Sequence, residues 1–197
     1  GEIRRGVEVG HAKVMPDVEG MTDLEVVVRS AHDAGFPAAI HAMDIDTLEE
    51  ALAALEASGA VTSGIDRLEH CSLALPEQLD RIRDLNIAVC TQPSFLTHRL
   101  PKYLSELSSA EHRWLWPLAS LVERGIEVTL SSDSPVVPAN PKQWIEASIN
   151  RPLGSEEAVT QESAKYMAAV STITPGLPAE MLVIANDFGY RPVMGRD

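Results

Sequence analysis

The sequence predicts a parallel α/β fold, a sheet or a barrel, and three observations predict it. Short apolar runs of strand length alternate with helical stretches of about 10 to 15 residues. The unit recurs about five times, fewer than the eight that close a barrel. Several of the runs are followed by a residue able to do chemistry, as they are at the C-terminal ends of parallel strands.

Taken in order, residues 9–15 are the first strand. Thr22 or Asp23 caps a helix whose Leu24, Val27, Val28 and Ala31 recur at helical spacing, and Gly35 with Pro37 ends it. Residues 37–42 form the next strand. From Thr47 a helix sets Leu48, Ala51, Leu52 and Leu55 on one face and Glu49, Glu50 and Glu56 on the other, until Ser58 and Gly59 stop it. Residues 66–72 are strand, Pro76 opens a helix through Leu79, Ile82 and Leu85, and 87–91 is a β-branched, apolar strand. A helix is expected over 110–124 with Leu115, Leu118, Leu121 and Val122 inward, terminated by Gly125, before a strand at 126–130. Helices over 143–150 and 156–170, a turn at Pro175-Gly176 and a strand at 181–185 complete the chain.

Composition narrows the function classes. With 45% hydrophobic and 23% charged residues the chain is globular in character. Twenty-nine acidic against sixteen basic residues leave a net charge of −13, which repels phosphate backbones and anionic lipid, so nucleic-acid and membrane partners are not expected. No run of about 18 apolar residues occurs and nothing near Gly1 is laid out as a signal peptide, so the expectation is a soluble cytoplasmic protein. Cys71 and Cys90 stand in apolar segments without Cys-x-x-Cys spacing and read as reduced core residues.

Three residues fall just past, or at the end of, apolar runs: His41, His70 and Asp133. His41 and His70 are one βα unit apart and Asp133 lies two further on, which brings all three to one rim. Neutral imidazole and carboxylate suit a divalent transition metal such as zinc. Each histidine alone reads as a hydrogen-bonded structural side chain, and Asp133 alone as a turn or cap residue before Ser134-Pro135; three on one rim favour a site. Lys13, near the end of the first strand, is either solvated surface or, once carbamylated, a carboxylate-like ligand able to bridge two metals. Gln92 can bond a substrate carbonyl or cap its own loop. His32, His98 and His112 read as surface or structural, His11 lies on the same strand side as Lys13, and Trp114, Trp116 and Trp144 read as core or pocket wall.

The segment His41-Ala42-Met43, running into an acidic-faced helix, resembles the fifth-strand His-Ala motif of the amidohydrolase superfamily, in the branch called amidohydrolase family 3. Arg67-Leu68-Glu69-His70 is similar to its Arg-Ile-Glu-His at strand six, and Val89-Cys90-Thr91-Gln92-Pro93-Ser94 to its Val-Gln-Pro-Ser at strand seven. Trp116-Pro117-Leu118 and Ser132-Asp133-Ser134-Pro135-Val136 are similar to the lead-in and signature of strand eight, and Lys13-Val14-Met15-Pro16-Asp17 resembles the strand-four Lys-x-x-x-Asp. Asp44-Ile45-Asp46 stands where the family usually has Gly-Asp-Arg. The residues around Met181 resemble the strand that returns to a small β domain.

This resemblance implies an incomplete (β/α)8 TIM-type barrel, about strands 4 to 8, over residues 1–174, and a β tail over 175–197. It implies His41 and His70 as metal ligands, Asp133 as a metal-proximal carboxylate that takes the proton of the attacking water, Lys13 as bridging carbamate, and zinc, one or two ions, as cofactor. The activity implied is hydrolysis of an amide-like C–N bond in a small molecule. A phosphoester hydrolase on the same fold, and a catalytically inactive fragment or regulatory homologue, are the alternatives. Open strand edges would need the missing front half of the barrel or a second copy of the chain.

Overall fold

The computed structural model describes residues 3–4, 7–8, 10–16, 23–59, 64–169, 181–184 and 190–193. Two short antiparallel strands, β1 (Ile3–Arg4) and β2 (Val7–Glu8), precede the first parallel strand, β3 (Ala12–Val14). Helix α1 (Leu24–Asp33) is capped by Asp23, whose carboxylate accepts from the Val26 N–H at 3.2 Å. Strand β4 (Ala38–Ala42) leads into α2 (Ile45–Ser58). This helix begins two residues before the expected Thr47. Asp44 accepts from the Thr47 N–H at 2.8 Å while Thr47 Oγ1 accepts from the Asp44 N–H at 3.2 Å, so both orphan amides of the first turn are satisfied from an earlier start. Strand β5 (Arg67–His70), helix α3 (Pro76–Asp84) and strand β6 (Ala88–Thr91) follow as the periodicity predicts.

The single helix expected over 110–124 does not form. After α4 (Phe95–His98) and α5 (Leu100–Glu106), the span is divided between α6 (Ser109–His112) and α7 (Leu118–Glu123). Pro117 disfavours the helical region for the residue before it, and Trp116 takes a left-handed φ of 45°. Its amide donates to the Ser72 carbonyl at 2.7 Å, and Leu115 bridges to Leu73, so tertiary bonds replace the helical ones. Strand β7 (Val128–Leu130) and helix α8 (Pro141–Ile149) come next.

The helix expected over 156–170 is also divided, into a 3-10 turn at Ser155–Glu157 and α9 (Gln161–Ala168). Glu157 is buried and accepts from the N–H and hydroxyl of Ser120 at 2.8 and 2.7 Å, which pins the turn to the open end of α7. Thr160 Oγ1 then caps α9 by accepting from the Ser163 N–H at 3.1 Å. Strand β8 (Met181–Ile184) pairs antiparallel with β9 (Tyr190–Val193), a partner the sequence did not announce. Val170, the turn at Pro175-Gly176, Ala185 and the 174/175 boundary lie outside the described residues. Among the described residues no helix is long and apolar enough to cross a membrane.

Strands β3 to β7 form one parallel sheet in chain order. Period-2 alternation divides its side chains. Val14, Ile40, Leu68, Val89, Val128 and Leu130 point to the helices and pack with Val28, Leu48, Leu52, Leu79, Ile82, Leu118 and Leu121 as the main core. Each large apolar side chain fully buried there stabilises the fold by about 1.5–3 kcal/mol. A second cluster of Leu73, Phe95, Leu96, Tyr103, Leu115, Trp116 and Val137 is built from the segments beyond the strand ends. Within it, burial pushes the Tyr103 phenol from its ordinary 10.0 up to about 12, helped by Glu106 and opposed by Arg99.

The sign of that shift gives a prediction. The unfolded phenol ionises from pH 10 while the folded one stays protonated, so its contribution to stability is complete below pH 10 and is lost as the pH climbs towards 12. Urea midpoints measured from pH 9 to 11.5 are expected to fall less steeply for Tyr103→Phe than for the wild type.

Candidate functional site

The sheet face turned away from the helices carries the polar set. His41 is the fourth residue of β4, and in register with it across the sheet lie Glu69, Cys90 and Thr129. Alternation alone would send His70 to the opposite face, beside Leu68. The backbone prevents this by entering the left-handed region at His70 (φ 74°) and again at Cys71 (φ 47°). Each such non-glycine residue costs about 1–2 kcal/mol and persists only where the surroundings hold it. Here Thr91 Oγ1 donates to the His70 carbonyl at 2.7 Å and the Cys71 amide donates to the Glu69 carbonyl at 3.1 Å. The His70 ring therefore meets His41 edge to face, with ring centroids 4.4 Å apart and an interplanar angle of 75°.

His70 is buried, and its Nδ1 lies 2.7 Å from Gln92 Oε1. Desolvation and then the neighbouring His41 hold its pKa below the ordinary imidazole range; Lys13 adds to this, while Gln92 and Asp133 oppose it. The imidazole is neutral at pH 7, the form that binds a metal. Lys13 is also held below its ordinary range, first by partial desolvation and then by Arg67, with Glu69, Asp133 and Cys90 acting the other way. Asp133 is exposed on the turn after β7, at a φ of 55°. Within that turn it is Ser132 Oγ that accepts from the Ser134 N–H, at 3.1 Å.

The fold thus puts His41, His70 and Gln92 in one contact group, with the charges of Lys13 and Asp133 acting on His70. Among the described residues no three His, Cys, Asp or Glu side chains converge closely enough to hold an ion between them. The two imidazoles are of the donor type that suits a divalent transition metal such as zinc. The other histidines stand elsewhere. His11 Nε2 lies 2.9 Å from the Ile65 carbonyl, and His112 Nε2 lies 3.1 Å from that of Tyr103. His32 is buried, with Nε2 2.9 Å from Asp66 Oδ1, which also accepts from the Ala38 amide at 2.8 Å. His98 is exposed beside Gln143.

Sequence reasoning missed Thr91 and Ser131. For Ser131 the signal was present in the alternation: Cys90 and Thr129 are paired, so the positions two residues further on, Gln92 and Ser131, share a face one row above them. Thr91 pairs with Leu130 on the helix side, so the alternation gave no signal for it.

Residues 7–181 match the model of the Amidohydrolase family. The chain belongs to this family. Among amidohydrolase relatives it is 26% identical over 131 residues to the putative amidohydrolase YtcJ of Bacillus subtilis (strain 168), covering 66% of this chain and 25% of that protein. It is 28% identical over 180 residues to an N-substituted formamide deformylase of Arthrobacter pascens, covering 80% of this chain and 33% of that one. The chain therefore spans between a quarter and a third of the curated relatives it matches. An uncharacterized metal-dependent hydrolase from Pyrococcus furiosus superposes with a TM-score of 0.70 at 24% identity, covering 84% of this chain and 40% of that chain. The five-stranded parallel sheet is thus part of an amidohydrolase barrel, not closed among the described residues.

Proposed function

We propose that this amidohydrolase chain carries part of a metal site that hydrolyses an amide-like C–N bond of a small molecule. The observation that carries this reading is the edge-to-face contact of His41 with His70 at the strand ends. The name of one relative, N-substituted formamide deformylase, supports a C–N bond as the target. His41 and His70 would hold a divalent cation, with zinc the best match to two imidazoles, and Asp133 and a carbamylated Lys13 are the further ligands this chain would offer. When bound, the cation lowers the pKa of water towards about 7 and polarises the scissile carbonyl. Asp133 would accept the proton of the attacking water on a carboxylate oxygen and return it to the leaving nitrogen.

Metal content tests this. The purified whole protein is expected to hold about one or two equivalents of zinc by elemental analysis, and His70→Ala to lose most of it while staying folded by circular dichroism. A folded wild type with no affinity for zinc, cobalt or manganese overturns the proposal and favours a catalytically inactive homologue.

A further inference from the structure

Gln92 follows β6 and is 2% exposed, with its amide between three partners. Its Nε2 donates to Ser131 Oγ at 2.8 Å and to the Cys90 carbonyl at 3.4 Å, and its Oε1 lies 2.7 Å from His70 Nδ1. A carbonyl only accepts, so the NH2 group must occupy the Cys90 side and Oε1 must face His70. Oε1 itself only accepts, and His70 Nδ1 must therefore carry the proton. In a neutral imidazole that leaves the lone pair on Nε2.

From this geometry we infer that Gln92 is a positioning residue that fixes the tautomer of His70, reserving Nε2 as the atom that meets a cation; the cation half of this rests on the metal-site reading above. Ligating histidines are oriented in general by an acceptor on the other ring nitrogen, and loss of such an acceptor weakens metal binding by about 10–100-fold. Gln92 also ties β5 to β7, because Ser131 stands two residues before Asp133. The His70 ring and the turn bearing Asp133 are thereby held to one amide.

The test is the imidazole 15N spectrum of the metal-free whole protein, with His70 assigned from its absence in His70→Ala. The expected result is a neutral His70 protonated at Nδ1. Gln92→Met, which keeps the length but removes the acceptor, is expected to shift the proton to Nε2 and to weaken zinc binding by about 10–100-fold. Gln92→Glu, which restores an acceptor, is expected to return both to near wild type. A merely structural glutamine would leave the tautomer unchanged in every variant. A wild-type His70 protonated at Nε2 overturns the inference before any variant is made, as does a Gln92→Met protein that keeps both tautomer and affinity. A wild type with the Nδ1 tautomer and no zinc affinity overturns the metal reading of the site, while the control of the tautomer by Gln92 stands.

Discussion

Asp133→Asn is expected to lower kcat on an amide-like substrate by about 10²- to 10⁴-fold, measured with zinc in excess. The substitution preserves shape and hydrogen-bonding capacity but removes the basic oxygen to which the proposed function assigns the water proton. KM is expected to change far less, because the lost interaction belongs to the transition state. The residue sits on an exposed turn at the C-terminal end of β7, where its charge acts on both His70 and Lys13. A kcat within tenfold of wild type would remove Asp133 from the proton transfer.

Trp116→Ala is expected to destabilise the fold by about 3–5 kcal/mol. The indole is fully buried, meeting Phe95 at 5.9 Å and Tyr103 at 5.4 Å between ring centroids, both edge to face. Its loss leaves a cavity that the neighbouring elements cannot collapse to fill, since its backbone amide is bonded to Ser72 and Leu115 is bridged to Leu73. Ser72 in turn donates through Oγ to the Met43 carbonyl at 2.5 Å. The second cluster thus holds the turn after His70 against the loop after His41. Urea denaturation followed by far-UV circular dichroism measures the loss, and a change below 1 kcal/mol would show that this cluster is not a packed core.

Much of the scaffold was legible because it depends on local periodicity. Val28, Leu48, Leu52, Leu79 and Ile82 recur at helical spacing and are the side chains that cover the sheet. The strand segments were legible from β-branched and apolar runs, and the parallel order from their alternation with helices. The breaks at Trp116 and after Glu157 were not, because both are made by partners far along the chain. The Ser72 carbonyl accepts from the Trp116 amide, and the Glu157 carboxylate accepts from Ser120.

The sequence by itself determined the family, the parallel α/β unit and the residue types at the strand ends, since motif wording and hydrophobic period are written within a few consecutive residues. Tertiary structure alone decided which way His70 faces. A strand's period of two assigns it to the helix side, and only a left-handed turn, held by the Thr91 hydroxyl on the neighbouring strand, swings it to His41. Which ring nitrogen it keeps protonated depends likewise on Gln92, 22 residues away, because a tautomer is set by whatever acceptor the fold brings alongside.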